Sequence, residues 1–366
     1  MNRNTTLARH SIVPATLTLA TALALTGCGA SGGSKAKASS EYKAVVLTVG
    51  TATDGAFGNA WSNAVKKASG HSGAKVDWVG DLNAPNQYVT QGGSYASAGY
   101  NLVVVAHGGM LPAAEQLAKQ FPKTQFCVAP VPDVDVSKLP KNLCVVDVRQ
   151  EVGAFRAGVL AGLVTKSNVV ASNQAFPFPA ISRQISAYAL GARCVNAKVK
   201  VINDLTNNDS DPSLTKTASE SQIKKGADVL FGATGTAMSG MFEAAKQANG
   251  VRAIGQYVDS TAAAPSVVLA TTILNVEDVL VAMIKDAKAG KLAPYQAYGL
   301  NGPVDVGFLV LNDALFKGLS ADQQSRYKTV EGQITDGKIK IPDTSALIAN
   351  GAGDSIDVHG LGCNPA

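Results

Sequence analysis

From residue 42 onward, short runs of β-branched and aliphatic residues alternate with alanine-rich stretches whose apolar positions recur at three- and four-residue spacing. AVVLTVG (44–50) reads as a buried strand and Asn59 to Ser69 as the helix that follows it. KVDWV, NLVVVAH, QFCVAP and LCVVDV continue the strand series, with helices at Ala84 to Ala98 and Pro112 to Gln120. Buried strands separated by amphipathic helices predict a parallel sheet covered on both faces. A second series opens at NVVAS (168–172) and runs through helix Ala180 to Cys194, VKVIND, helix Ser213 to Lys225, ADVLFGA, helix Ser239 to Asn249 and RAIGQY. The fold class is therefore α/β, with two doubly wound Rossmann-like lobes joined by a hinge. VVLATTIL and a helix over Val276 to Ala289 follow, and the rest reads as short strands and a loop-rich tail. These last elements are too few for a third domain, so the chain must cross between lobes more than once. The predicted lobes are 42–165 with about 257–290, and 166–256 with about 291–366.

The N-terminus changes the picture of where such a molecule works. Arg3 and Arg9 precede an apolar stretch from Ile12 that contains no acidic residue and ends in Leu25-Thr26-Gly27-Cys28. That is the form of a secretory signal, residues 1–27, with a lipobox whose acylated cysteine, Cys28, becomes the first mature residue. An ordinary cleaved signal with Cys28 as a chance neighbour is the plainer alternative. Residues 28–41, rich in Gly, Ser, Ala and Lys, have the composition of a flexible tether. The expected location is the extracytoplasmic face of the cell membrane, held by lipid. Only 16% of residues are charged, the net charge of +5 loses two arginines with the signal, and no basic stripe suits nucleic acid. Four cysteines remain after Cys28, and in an oxidising compartment an even number favours disulfides. Cys127 and Cys144 lie in strand-like segments that can neighbour each other in one sheet; pairing them leaves Cys194 with Cys363. Four buried free thiols are the alternative.

Candidate ligand groups fall where predicted strands end, which is where open α/β sheets bind. Asp54, Phe57 and Asn59 follow the first strand, with Gly55 and Gly58 allowing a tight turn. Phe57 offers a flat face and Asp54 and Asn59 offer hydrogen bonds, although Asp54 as a helix cap and Phe57 as core packing read equally well. His107 and Gly108 follow NLVVVA, where glycines leave helix N-terminal amides open to a polar atom; a structural histidine is the simpler alternative. Phe176 and Phe178, held by prolines in FPFP, end the first strand of the second lobe and suit stacking or a hinge plug. Gly232 and Thr234 in GATGT resemble a phosphate loop only superficially, since no Gly-Lys-Ser/Thr follows, and suit a pocket wall. Gln256, Tyr257 and Asp259 sit where the chain should cross back, Asp259 as ligand group or turn cap.

The catalytic inventory is thin. His71, His107 and His359 lack metal spacing, there is no GxSxG, and Asp147 with Glu151 is better explained by a glutamate starting a helix. No metal, no cofactor and no enzymatic activity are expected.

Several segments in order resemble the basic membrane lipoprotein family, the substrate-binding lipoproteins of ABC importers, whose best understood members bind purine nucleosides. They are Asp54 to Trp61 against the family's Asp-x-Ser-Phe-Asn stretch, GYNLVVVAHGG with Phe121-Pro122 and Phe126, Arg149 to Gly158, FPFPAISRQISAYALGAR, GADVLFGATG with FEAAK, and Asp336 to Pro342. The resemblance implies a type I periplasmic-binding-protein fold and a purine nucleoside or base held between the lobes. Phe57 would stack, with Asp54 and Asn59 as polar partners, and an ABC permease and ATPase would receive the solute. The chain departs from the family where Tyr257 replaces the first aspartate of Gly-Val-Asp-Ser-Asp, a ribose ligand, and where Leu274 or Asn275 stands for a lysine. That loss keeps open a receptor for a sugar or signalling molecule on the same fold. A surface enzyme or an adhesin fits less well.

Overall fold

The computed structural model describes residues 41–131, 134–300, 304–342 and 358–365; the signal, Cys28 and nearly all of the tether lie outside them. In chain order the elements begin β1 (Lys43–Thr48), α1 (Phe57–His71), β2 (Lys75–Val79), α2 (Pro85–Ser97), β3 (Leu102–Ala106), α3 (Leu111–Gln120), β4 (Gln125–Val128), β5 (Leu143–Val148) and α4 (Glu151–Val164). They continue with β6 (Val169–Gln174), α5 (Pro179–Val195), β7 (Lys200–Leu205), α6 (Pro212–Lys224), β8 (Val229–Ala233), α7 (Met238–Gln247) and β9 (Arg252–Tyr257). The last are β10 (Val268–Ile273), α8 (Val276–Lys288), β11 (Tyr295–Tyr298), β12 (Leu309–Leu311), α9 (Asp313–Lys317) and α10 (Ala321–Thr335).

Two six-stranded sheets result, in the orders β2-β1-β3-β4-β5-β11 and β7-β6-β8-β9-β10-β12. Every described pairing is parallel except that of β10 with β12. The central strands β1 and β3 are almost wholly apolar and buried because helices cover both faces of the sheet. Cys127 and Cys144 face each other in the β4–β5 register and are disulfide-bonded; a second bond joins Cys194 of α5 to Cys363.

Sheet membership differs from the expected lobe boundaries in three places. β10 belongs to the second sheet, parallel to β9, although the link between them contains turns and no α-helix. A parallel neighbour normally requires a helical crossover, so the missing helix suggested a change of lobe where none occurs. The change comes afterwards: α8 packs on α1, and β11, an edge strand of sequence YQAY with no apolar signature, pairs with β5 in the first sheet. α4 also moves, from the first lobe to the second, where it lies against α5. All fourteen of its residues are buried, so it has no polar face to betray its direction. Glycines let the two helices meet backbone to backbone, since a Cβ on Gly158 would stand 2.0 Å from the Tyr188 carbonyl oxygen and one on Gly191 2.0 Å from that of Phe155.

The tail corrects a further expectation. It contains α10, fifteen residues long, where loops were expected. Only Tyr327 and Ile334 of that helix are buried, too few to make an apolar stripe, but Ser320 and Gln323 form a capping box that marks its start. No helix among the described residues is long and apolar enough to cross a membrane.

Candidate functional site

A cavity of about 380 Å³ opens between the carboxyl ends of the two sheets. Its walls come from the segments after β1, β3, β4 and β5 on one side and after β6, β7, β8 and β9 on the other. Strand ends gather unpaired backbone groups and helix N-termini at one edge, and facing two such edges encloses a small molecule.

The β1–α1 segment is built around Asp54. Its carboxylate accepts from the backbone N–H groups of Thr51, Ala56, Gly58 and Asn59 at 2.7–3.2 Å, so it caps the helix and is fully occupied. Asn59 donates its amide to the Ala52 carbonyl at 2.6 Å. Gly58 is required here, because a Cβ would lie 2.6 Å from Asp54 Oδ2 and 2.7 Å from the Gly50 backbone. These bonds hold Phe57 at the cavity wall, edge-on to Trp61 (6.3 Å between centroids) and to Tyr257 (5.8 Å). Asp54 and Asn59 do not line the cavity; they position the ring that does.

After β3, His107 and Gly108 both line the wall. A side chain on Gly108 would run into the Pro130 carbonyl, 2.2 Å away. His107 Nδ1 accepts from the Gly109 N–H at 3.1 Å, which leaves the proton of the neutral ring on Nε2. Burial pushes the His107 pKa below the usual histidine value, and the negative charge of Asp209 opposes that shift without cancelling it. The imidazole is therefore neutral at neutral pH. From the opposite lobe, Phe176 and Phe178 pack at 5.4 Å, and the Phe178 ring stands 6.4 Å from His107 across the cleft. Gln174 braces that loop by donating to the Phe176 carbonyl and to Ser182 Oγ.

Tyr257 ends β9 with φ +76°, a left-handed conformation uncommon for a bulky residue. Its ring is buried among first-lobe side chains and forms part of the wall, and burial pushes its hydroxyl pKa well above the ordinary tyrosine value. Beside it Gln256 turns away from the cavity. Its amide donates to Gln184 of α5, and Gln184 donates in turn to Gln150 at 2.7 Å and to the Ala180 carbonyl.

Six of the expected groups thus converge: Phe57, His107, Gly108, Phe176, Phe178 and Tyr257. Gly232, Thr234, Gln256 and Asp259, like Asp54 and Asn59, do not reach the wall. A side chain on Gly232 would crowd Met238 and Met241, so that glycine makes room for α7. Thr234 is buried behind its neighbours Ala233 and Gly235, which do line the cavity. Asp259 closes a turn by accepting from Thr261 N–H and Oγ. Two polar wall residues were missed in the sequence, Gln150 and Asp209. Asp209 hides in NNDSDP, which reads as a helix start because Asp211 caps α6; its place just beyond β7 was the available signal.

Residues 42–345 match the model of a family described as Bmp, ABC transporter substrate-binding protein PnrA-like. The chain is 26% identical to a Lactococcus lactis protein named ABC transporter nucleoside-binding protein BmpA, over 91% of the chain and 99% of that protein. It is 27% identical to basic membrane protein B of Borreliella afzelii, over 70% of the chain and 76% of that protein. Among solved structures, an ABC transporter solute-binding protein from Aeropyrum pernix superposes with a TM-score of 0.70 at 18% identity, covering 84% of this chain and 96% of that one.

Proposed function

The chain belongs to the Bmp family of ABC transporter substrate-binding proteins, and from that premise we propose that it captures a purine nucleoside, a purine base or a similar planar solute between its lobes. The reading rests chiefly on the rings of Phe57, Tyr257, His107, Phe176 and Phe178, which meet from both lobes around one cavity. Flat rings bury a planar ligand's faces at little entropic cost, and polar groups between them read its edge. Binding involves no bond making: ligand bridges the lobes, stabilises the arrangement that encloses it, and is released to an ABC permease driven by its ATPase. Acylated Cys28 holds the protein at the extracytoplasmic face of the membrane, and residues 29–40 give it reach.

Isothermal titration of the purified full-length protein against nucleosides, bases, sugars and amino acids tests the ligand class. Heat from a planar heterocycle is expected; binding confined to sugars or amino acids overturns the reading. Phe57→Ala should weaken heterocycle binding by roughly 1–3 kcal/mol, the value of one aromatic stack on a base, with little loss of stability. A large stability loss with unchanged affinity would mean that Phe57 serves the core alone.

A further inference from the structure

Asp209 is the one carboxylate among the described residues of the cavity wall, and no lysine or arginine lines that wall. Its side chain accepts no hydrogen bond and joins no ion pair among the described residues. The residue is nevertheless held in place through its backbone: the Asp209 carbonyl accepts from Ala237 N–H at 3.0 Å and from Thr236 Oγ at 3.1 Å. Gly235, at φ +55°, packs so closely that a Cβ there would stand 2.7 Å from the same oxygen. The anchorage is independent of the carboxylate, which is left over for another use.

Asp209 is half-buried, and a solute that covers its carboxylate takes it out of water, which is costly unless the solute donates to it. An anionic solute would deepen that cost, and a ring whose edge bears only acceptors would leave it unrelieved. Opposite Asp209, His107 has its Nδ1 engaged by Gly109 and presents Nε2–H as a donor. The cleft therefore offers a two-oxygen acceptor on one lobe and a single N–H donor on the other. The complementary planar edge carries adjacent N–H donors beside a carbonyl oxygen.

Deepening the proposed function, on which this step rests, we infer that the cleft selects a planar heterocycle with an amino-lactam edge of the guanine type. Asp209 accepts the ring N–H and the exocyclic amino group, and His107 donates to the neighbouring carbonyl. Asp209 is in this sense a specificity-determining residue for the ligand.

Guanosine and inosine differ only by the exocyclic amino group, so the comparison isolates one donor. Titration calorimetry of the full-length protein should give guanosine an affinity at least tenfold above that of inosine. Asp209→Asn should weaken guanosine at least tenfold and inosine less, bringing the ratio towards one, with the thermal midpoint of the free protein unchanged. Equal affinities in the wild-type protein, or an unchanged ratio in Asp209→Asn, overturn the inference while leaving heterocycle capture standing. Binding of neither nucleoside, nor of any free base, removes both.

Discussion

At the scale of single residues, the cleft separates groups that touch its space from groups that hold those groups still. Asp54 spends its whole hydrogen-bonding capacity on four backbone amides, and the gain is a fixed Phe57. His107 is the wall residue whose charge state is most open to experiment. Because burial lowers its folded-state pKa below 6.5, the unfolded chain takes up the proton first as pH falls. The stability associated with the neutral ring is complete above about pH 6.5 and is lost as pH drops through the lowered folded value. Urea midpoints across that window should therefore fall more steeply for the wild-type protein than for His107→Gln. Identical pH dependence in the two would show that this imidazole is protonated as readily in the fold as in the open chain.

Among elements, α4 and α5 engage closely, Gly158 and Gly191 each facing the other helix's backbone. Gly191→Val has no space to enter without parting the helices, and overpacking of this kind costs about 1–3 kcal/mol or more. A lowered thermal midpoint is expected; an unchanged one would mean that the helices can slide apart freely. The same pair shows what a one-dimensional reading can and cannot see. Strands such as LVVVA were legible because a two-sided parallel sheet demands continuous apolar runs, and Phe57, Phe176 and Phe178 were legible as rings at strand ends. α4 was marked only by its starting glutamate, Glu151, and its uniform burial carries no direction, so it was placed with the lobe it follows in the chain. Asp54 stayed ambiguous because a capping aspartate and a ligand aspartate follow a strand in the same way. Asp209 was overlooked because its neighbour Asp211 supplies the local signal.

Over the whole molecule, the two lobes are tied by buried charge. Arg183 of α5, fully buried, bonds Asp147 of β5 and the Val148 carbonyl and pairs with Glu151 at 3.1 Å. Tyr295 of β11 donates to the same aspartate, and Arg149 bonds the same glutamate. Asp147 and Glu151 are thus halves of a structural tie and not a catalytic pair. Arg183→Met would strand two carboxylates in the interior, and breaking a buried pair in this way costs about 3–5 kcal/mol. Chemical denaturation should register that loss; a variant as stable as the wild type would show that water reaches the tie.

The glutamine chain beneath the cavity has a direction. The Ala180 carbonyl can only accept, so it fixes which end of the Gln184 amide is NH₂. Gln184 must then receive from Gln256 with its oxygen, and the Gln150 oxygen is consumed by Gln184. Gln150 is left with its NH₂ as the terminus of the series at the cavity wall. A single peptide carbonyl in the first turn of a second-lobe helix thereby sets the hydrogen-bond polarity of a wall group two amides away. Reversing that polarity would require every amide in the row to turn over together.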